Sequence, residues 1–304
     1  MCSHSTAASM HEKHGEKSIF RESDELSEKA QLSVIPSPHL ECLSPSYNPK
    51  NIQKIVREGI LLSTGGVAIL LQIANPGVGQ GVNENSNFAY RPADRLRTTM
   101  TYVYCMAFGT LVEKRRIIEM VHRAHLPVKG LGYTADDAEL QLWVAATLYA
   151  AGVDIYEKIL GKLDSETAEK VYEEYSVLAT SLRVPPEMWP ENRKAFWEYW
   201  DEKIATLQIS SHAKNVANDL LYNKAGPFWI RWNLPFIRVL TVEWLPPRMR
   251  EEYNLKTNKH RRELYRLSMG LTRSIYPHLP LYHREYPMRY YLEDMRRRMQ
   301  KMGG

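Results

Sequence analysis

The sequence is short of cysteine, of long apolar runs and of the signatures of common hydrolytic sites, and each shortage removes a class of protein. Only three cysteines occur, Cys2, Cys42 and Cys105. An odd count without C-x-x-C spacing suits neither a disulfide framework nor a zinc site, and it fits a reducing intracellular setting. No segment alternates polar and apolar residues between turn signals, which argues against strands. The longest apolar run, Gly59 to Pro76, follows Arg57 and Glu58 and contains Ser63, Thr64 and Gln72. It is too short and too polar for a membrane span and reads as a buried helix. The N-terminal residues scatter His, Glu and Lys with no apolar core, so no signal peptide is recognised and a cytoplasmic location is expected. There is no G-x-S-x-G elbow, no H-E-x-x-H and no paired-cysteine metal site, which removes the usual serine-hydrolase and zinc readings. Gly77-Val-Gly-Gln-Gly81 lacks a following lysine and comes after a helix rather than a strand, so it reads as a glycine-rich turn, not a phosphate loop.

What is present points to helices. With 304 residues, 44% hydrophobic and 25% charged, the chain is large enough for a packed core. The net charge of +5 comes largely from the end of the chain, where Arg296-Arg297-Arg298 and Lys301 cluster. That cluster reads first as a solvated helix face and second as a peripheral membrane contact. No aromatic-basic motif or finger spacing accompanies it, so nucleic acid is not an expected partner. Residues 1–48 are polar, with Ser37-Pro38 and Ser44-Pro45, and their composition predicts a flexible leader. Residues 49–304 are expected to form one large all-α domain with little or no strand. Apolar spacing predicts a helix from Ile52 to Ala74. Pro92 opens a helix that Gly109 closes, and Thr110-Leu-Val-Glu113 is a capping box starting the next. Thr134-Ala-Asp-Asp137 begins a long helix to about Leu160, Asp164 caps another to about Leu182, and Pro190 opens an aromatic-rich one. Further helices are expected near 212–223, 227–243, 258–275 and 287–301.

The residues that could carry chemistry cluster around one helix end. Pro127 makes Leu126 a poor helical residue, so His125 sits in a last turn. A neutral imidazole there could hold a metal or haem iron; the plain alternative is a histidine bonded to the last helix carbonyls. Arg95 and Thr99 lie four apart on one face of the preceding helix. The arginine could pair with an anionic cofactor group or donate to reduced oxygen, and the threonine could orient dioxygen or water. The alternative is an ion pair to Asp94 or Glu84 and a threonine bonded to its own backbone. Glu119-Met-Val-His122 is one E-x-x-H motif, whereas a di-iron bundle needs two, and no second occurs. His122 is therefore read as a packing residue or one supporting a ligand. The tryptophans, including Trp143, Trp197, Trp200 and Trp244, are expected in the core, with some lining an apolar pocket.

Several stretches together resemble the family of helical haem oxygenases that includes the latex-clearing rubber oxygenases and the MpaB-type oxygenase of mycophenolic acid biosynthesis. They run in order through Gly65-Gly-Val-Ala-Ile-Leu-Leu-Gln72-Ile-Ala-Asn-Pro76, Gly79-Gln-Gly-Val82, Arg95-x-x-x-Thr99, Phe108-Gly109, His125-x-x-Val128-x-Gly130, Tyr133-x-Ala135-x-Asp137 and Leu142-Trp143-Val144. Tyr172-x-x-Tyr175 and Val184-Pro-Pro-x-x-Trp-Pro190 follow. The resemblance spans about residues 52–290 and rests on order and spacing rather than on any single motif. It implies a helical domain around one haem b, His125 as the iron ligand, Arg95 and Thr99 on the haem's other side, and dioxygen as co-substrate. The implied substrate is an apolar unsaturated molecule, a terpenoid or other secondary metabolite, with oxidative C=C cleavage as the family's reaction. Two departures narrow this. Thr98 stands where rubber oxygenases carry a lysine able to cap iron, so a lysine-capped state and polymer cleavage are not expected. Ala145 replaces a histidine that many relatives have after Trp-Val. Two other readings stay open: a haem protein of this fold performing dehydration or rearrangement without dioxygen, and a non-catalytic helical ligand-binding scaffold.

Overall fold

The computed structural model describes residues 41–85, 92–222 and 228–302, all within the compact unit His39–Gly304. Most of the 1–48 leader expectation therefore lies outside the described residues. Described structure begins earlier than expected, with a 3-10 turn at Glu41–Leu43 that buries Cys42 and packs on a later helix.

The expected 52–74 helix is broken. Helix α1, Lys50–Val56, stops at Arg57, and buried Glu58 starts a 3-10 segment, Gly59–Thr64, before α2, Gly65–Ala74. Glu58 accepts from Tyr276 Oη (3.0 Å) and pairs with Arg284 Nη1 (3.2 Å). Anchoring this carboxylate requires the chain to turn there, and local apolar spacing does not reveal that. The glycine-rich segment is likewise not a turn but helix α3, Pro76–Asn85. Pro76 takes the first helical position, and Asn75 Oδ1 accepts from Gly77 N (3.0 Å). Its glycines let neighbours approach: a Cβ at Gly79 would fall 2.6 Å from Ile73 O, and one at Gly81 3.1 Å from the Tyr133 ring. Packing here overrides the low helix propensity of glycine.

Helices α4 (Pro92–Phe108) and α5 (Leu111–His125) follow, and then a two-residue antiparallel hairpin, β1 (Lys129–Gly130) and β2 (Tyr133–Thr134). This hairpin is the sole sheet among the described residues, so the fold is all-α. Helix α6, Ala138–Leu160, is capped by Asp137. The helix predicted from Asp164 to Leu182 divides into α7, Ser165–Tyr175, and α8, Val177–Thr180. Next come α9, Arg193–Thr206, α10, Ser211–Tyr222, and α11, Phe228–Trp244. The last elements are α12, Pro247–Glu252, α13, Lys259–Ile275, α14, Leu281–Arg284, and α15, Tyr286–Met302.

Helix α6 is the hub. Ala145, Ala146, Ala150, Ala151 and Gly152 are buried along it, and these small side chains admit the aromatic residues of α7 and α9. Tyr149 meets Phe196 edge-on at 4.7 Å, Tyr172 stacks on Trp189 at 5.3 Å, and Trp143 stacks on Trp200 at 5.3 Å. Trp143 Nε1 also donates to Leu71 O (2.9 Å) and Tyr253 Oη to Leu70 O (2.6 Å). Those bonds tie both sides of the molecule to α2. The apolar interior forms one large cluster centred on α4 to α9 and a second built on α2, α3, α10, α11 and α12. Cys42 and Cys105 are reduced and buried. Burial pushes their thiols up, to about 11 and about 12.

Candidate functional site

The site forms where the start of α4 meets the end of α5. The chain folds back at Gly109, where a side chain would strike Cys105 O at 2.6 Å, and α5 starts at once. The expected capping box is present: Thr110 Oγ1 accepts from Glu113 N (3.2 Å), and Glu113 Oε2 accepts from Thr110 N (2.8 Å). Glu113 also receives Arg296 Nε at 2.8 Å, which fixes α5 to α15. At the other end Pro127 stops α5 and the chain turns into the hairpin. Val128 N donates to His125 O, and Ala135 N to Val128 O, both at 2.8 Å.

This turn leaves His125 half-buried in the last turn of α5. Its pKa is lowered, first by desolvation; Asp136 opposes the shift, and the positive field of Arg95 and of His122 adds to it. A histidine shifted this way carries a neutral imidazole at neutral pH, the form that ligates metal. Arg95 is therefore close enough for its charge to be felt at His125, across the fold-back between α4 and α5. Arg95 is exposed by surface area, yet protein crowding its guanidinium lowers its pKa by desolvation; an arginine so exposed stays cationic. Thr99, one turn further along α4, is half-buried. Thr98 points elsewhere: it is exposed, and its hydroxyl donates to Asp94 O at 2.9 Å.

His122 Nδ1 lies 3.4 Å from Asp136 Oδ1. Of the residues around His125, Asp136 was not legible in the sequence, because it reaches the histidines only once the hairpin turns the chain back. The hairpin itself is held from behind. Tyr133 Oη donates to Glu84 Oε2 (2.7 Å) and accepts from Asn85 Nδ2 (3.0 Å), and its ring lies over Gly81. Glu84 is thus engaged by Tyr133 and, at 2.9 Å, by Gln80 Nε2. The spacing Tyr133-x-Ala135-x-Asp137 now has a physical reading: a hairpin anchor, a backbone bond and the cap of α6. Ala145 is fully buried on α6.

Among the described residues no group of three or more His, Cys, Asp and Glu side chains converges as metal ligands. Haem iron needs only one axial side chain. A surface cleft of about 350 Å³ lined by Glu41, Ser44, Ser46, Tyr47, Asn48 and Pro49 shares none of these residues. No single helix among the described residues is long and apolar enough to cross a membrane. The bent pair Lys50–Val56 and Gly59–Ala74 passes by length and composition alone, and its apolar residues are largely core.

A family model described as the catalytic domain of the ER-bound oxygenase mpaB/B' and rubber oxygenase matches residues 52–274. An uncharacterised protein of Mycobacterium bovis and one of Mycobacterium tuberculosis are each 34% identical to the chain over 244 residues. Each match covers 75% of this chain and 93% of the relative. No solved structure matches the chain significantly.

Proposed function

The chain belongs to the family of MpaB-type and rubber oxygenase catalytic domains, and from that premise we propose that it is a haem b-dependent oxygenase acting with dioxygen on an apolar unsaturated substrate, a terpenoid or other secondary metabolite. The observation that carries this reading is His125, half-buried in the last turn of α5, where burial and the nearby charge of Arg95 lower its pKa against the opposing pull of Asp136. This donor set fits haem: one neutral imidazole for iron, with a permanent cation near it for a propionate. When bound, haem would supply the one-electron and oxygen chemistry that protein side chains lack.

The chain's own residues do the rest. His125 would hold the iron, Arg95 would anchor a propionate or offset negative charge at the site, and Thr99 would present a hydroxyl donor beside it. Asp136, beside His122, supports the orientation of the α5 end and favours a basic imidazole at His125. Oxidative C=C cleavage is the outcome proposed for the substrate.

The test is the absorption spectrum, with haemochrome quantification, of protein produced with a haem precursor. About one haem per chain is expected. H125A should lose it, while R95A should keep it and lose roughly tenfold or more in turnover. A colourless, folded wild-type protein would overturn the haem reading in favour of a ligand-binding scaffold. A haem-replete protein that works equally well without dioxygen would overturn the oxygenase reading in favour of dehydration or rearrangement.

A further inference from the structure

Helix α13 has no fully buried residue and carries two unlike faces. Tyr265 and Met269 face the protein and are half-buried. Beside them Leu264, Leu267, Leu271 and Ile275, at helical spacing, form an apolar stripe that is 46%, 71%, 63% and 51% exposed. Arg262, Arg266 and Arg273 occupy the side away from that stripe. The chain then continues through Leu279 and Tyr282, which are also exposed. Scattered surface leucines need no explanation, but four in register along a 17-residue helix do.

The charge around the stripe says what covers it. Residues 256–302 hold 12 Lys and Arg against four Asp and Glu, a net +8, whereas the whole chain is +5. Arg284 and Arg296 pair with Glu58 and Glu113 elsewhere in the chain, but helix α13 itself, with five Lys and Arg against Glu263, carries a net +4 on the element that exposes the stripe. A second copy docked stripe to stripe would bring two such cationic segments together and be repelled. An anionic bilayer surface satisfies both features: acyl chains take the leucines, and headgroup phosphates and carboxylates meet the arginines and lysines.

We infer that α13 and the basic segment following it dock the protein onto anionic membrane surfaces, with Leu264, Leu267, Leu271 and Ile275 inserted at the headgroup boundary. This assignment is independent of the chemistry at His125.

The test is co-sedimentation of the full chain with phosphatidylcholine vesicles and with vesicles of phosphatidylcholine and phosphatidylserine in roughly a 2:1 ratio. Binding is expected to the mixed vesicles, to be weaker on pure phosphatidylcholine and to fall as salt rises. L267E/L271E should lower the partition coefficient at least tenfold, and R262E/R273E should weaken binding to the mixed vesicles selectively, both with unchanged helical circular dichroism. Full-length protein that ignores the mixed vesicles overturns the inference, whatever covers the stripe, the N-terminal residues included. So does undiminished binding by L267E/L271E. A wild-type mass of two chains in light scattering that L267E/L271E reduces to one also overturns it, by assigning the stripe to a second copy.

Discussion

A methyl group at Gly79 would have to occupy space 2.6 Å from the Ile73 carbonyl oxygen and 3.5 Å from Ala213 Cβ. Ala213 at that distance is in ordinary contact, but the backbone carbonyl cannot withdraw cheaply, so G79A should cost about 1–3 kcal/mol, read as a lower urea midpoint at unchanged slope. G132A, at φ +81° with nothing within 4 Å, tests the other reason for glycine. It carries backbone strain without a clash and should cost only about 1 kcal/mol. The two positions also mark how far single residues were readable. The glycines of 77–81 look like a turn because isolated propensity disfavours glycine in a helix; what calls for glycine in this helix is the close approach of Ile73, Leu140 and Tyr133, and the last two lie in no local window. His125 was readable because Pro127 two residues later fixes the helix end. Asp136 was not, because its relation to His122 and His125 exists only after residues 126–135 have turned back.

At the scale of an element, α5 owes its start to one carboxylate. Glu113 receives the Thr110 amide and the Arg296 guanidinium. Although desolvation pushes its pKa up, those hydrogen bonds win and hold it below the ordinary 4.5. A lowered folded-state pKa means that the unfolded chain binds the proton more readily. The stabilisation is therefore present above about pH 4.5 and is lost as pH falls through the folded-state value. E113Q should reduce stability at neutral pH by about 1 kcal/mol and flatten the acid limb of the stability profile, measured by thermal melts across pH. Thr110-Leu-Val-Glu113 made this helix start visible in advance, and Asp137 and Asp164 did the same for α6 and α7. The interruptions at Arg57 and at Ser176 were not visible. The first is imposed by the partners of Glu58, and the second lies in an apolar sequence that continues through Val177, Leu178 and Ala179, all buried.

For the whole molecule, the all-α class was legible because no segment offered strand alternation, whereas the division of the interior into two apolar clusters was not. The larger cluster turns on Phe196, fully buried against Tyr149, Trp197 and Trp200. F196A should cost about 3–5 kcal/mol and lower the melting temperature more than any surface change named above. The amphipathic pattern of α13 was present in the sequence as a helix but not as an uncovered face, since exposure depends on which helices pack and where. The two buried cysteines bring a benefit of another kind. With thiols pushed up to about 11 and about 12, neither reacts while its surroundings stay closed. Cys105 rides on α4, the helix that carries Arg95 and Thr99, and Cys42 sits on the entry turn. Alkylation timed by peptide mass spectrometry thus makes the chain its own breathing recorder, one thiol clocking the turn and the other the helix beneath the site. Labelling of Cys42 ahead of Cys105 would show the entry turn opening while α4 remains shut.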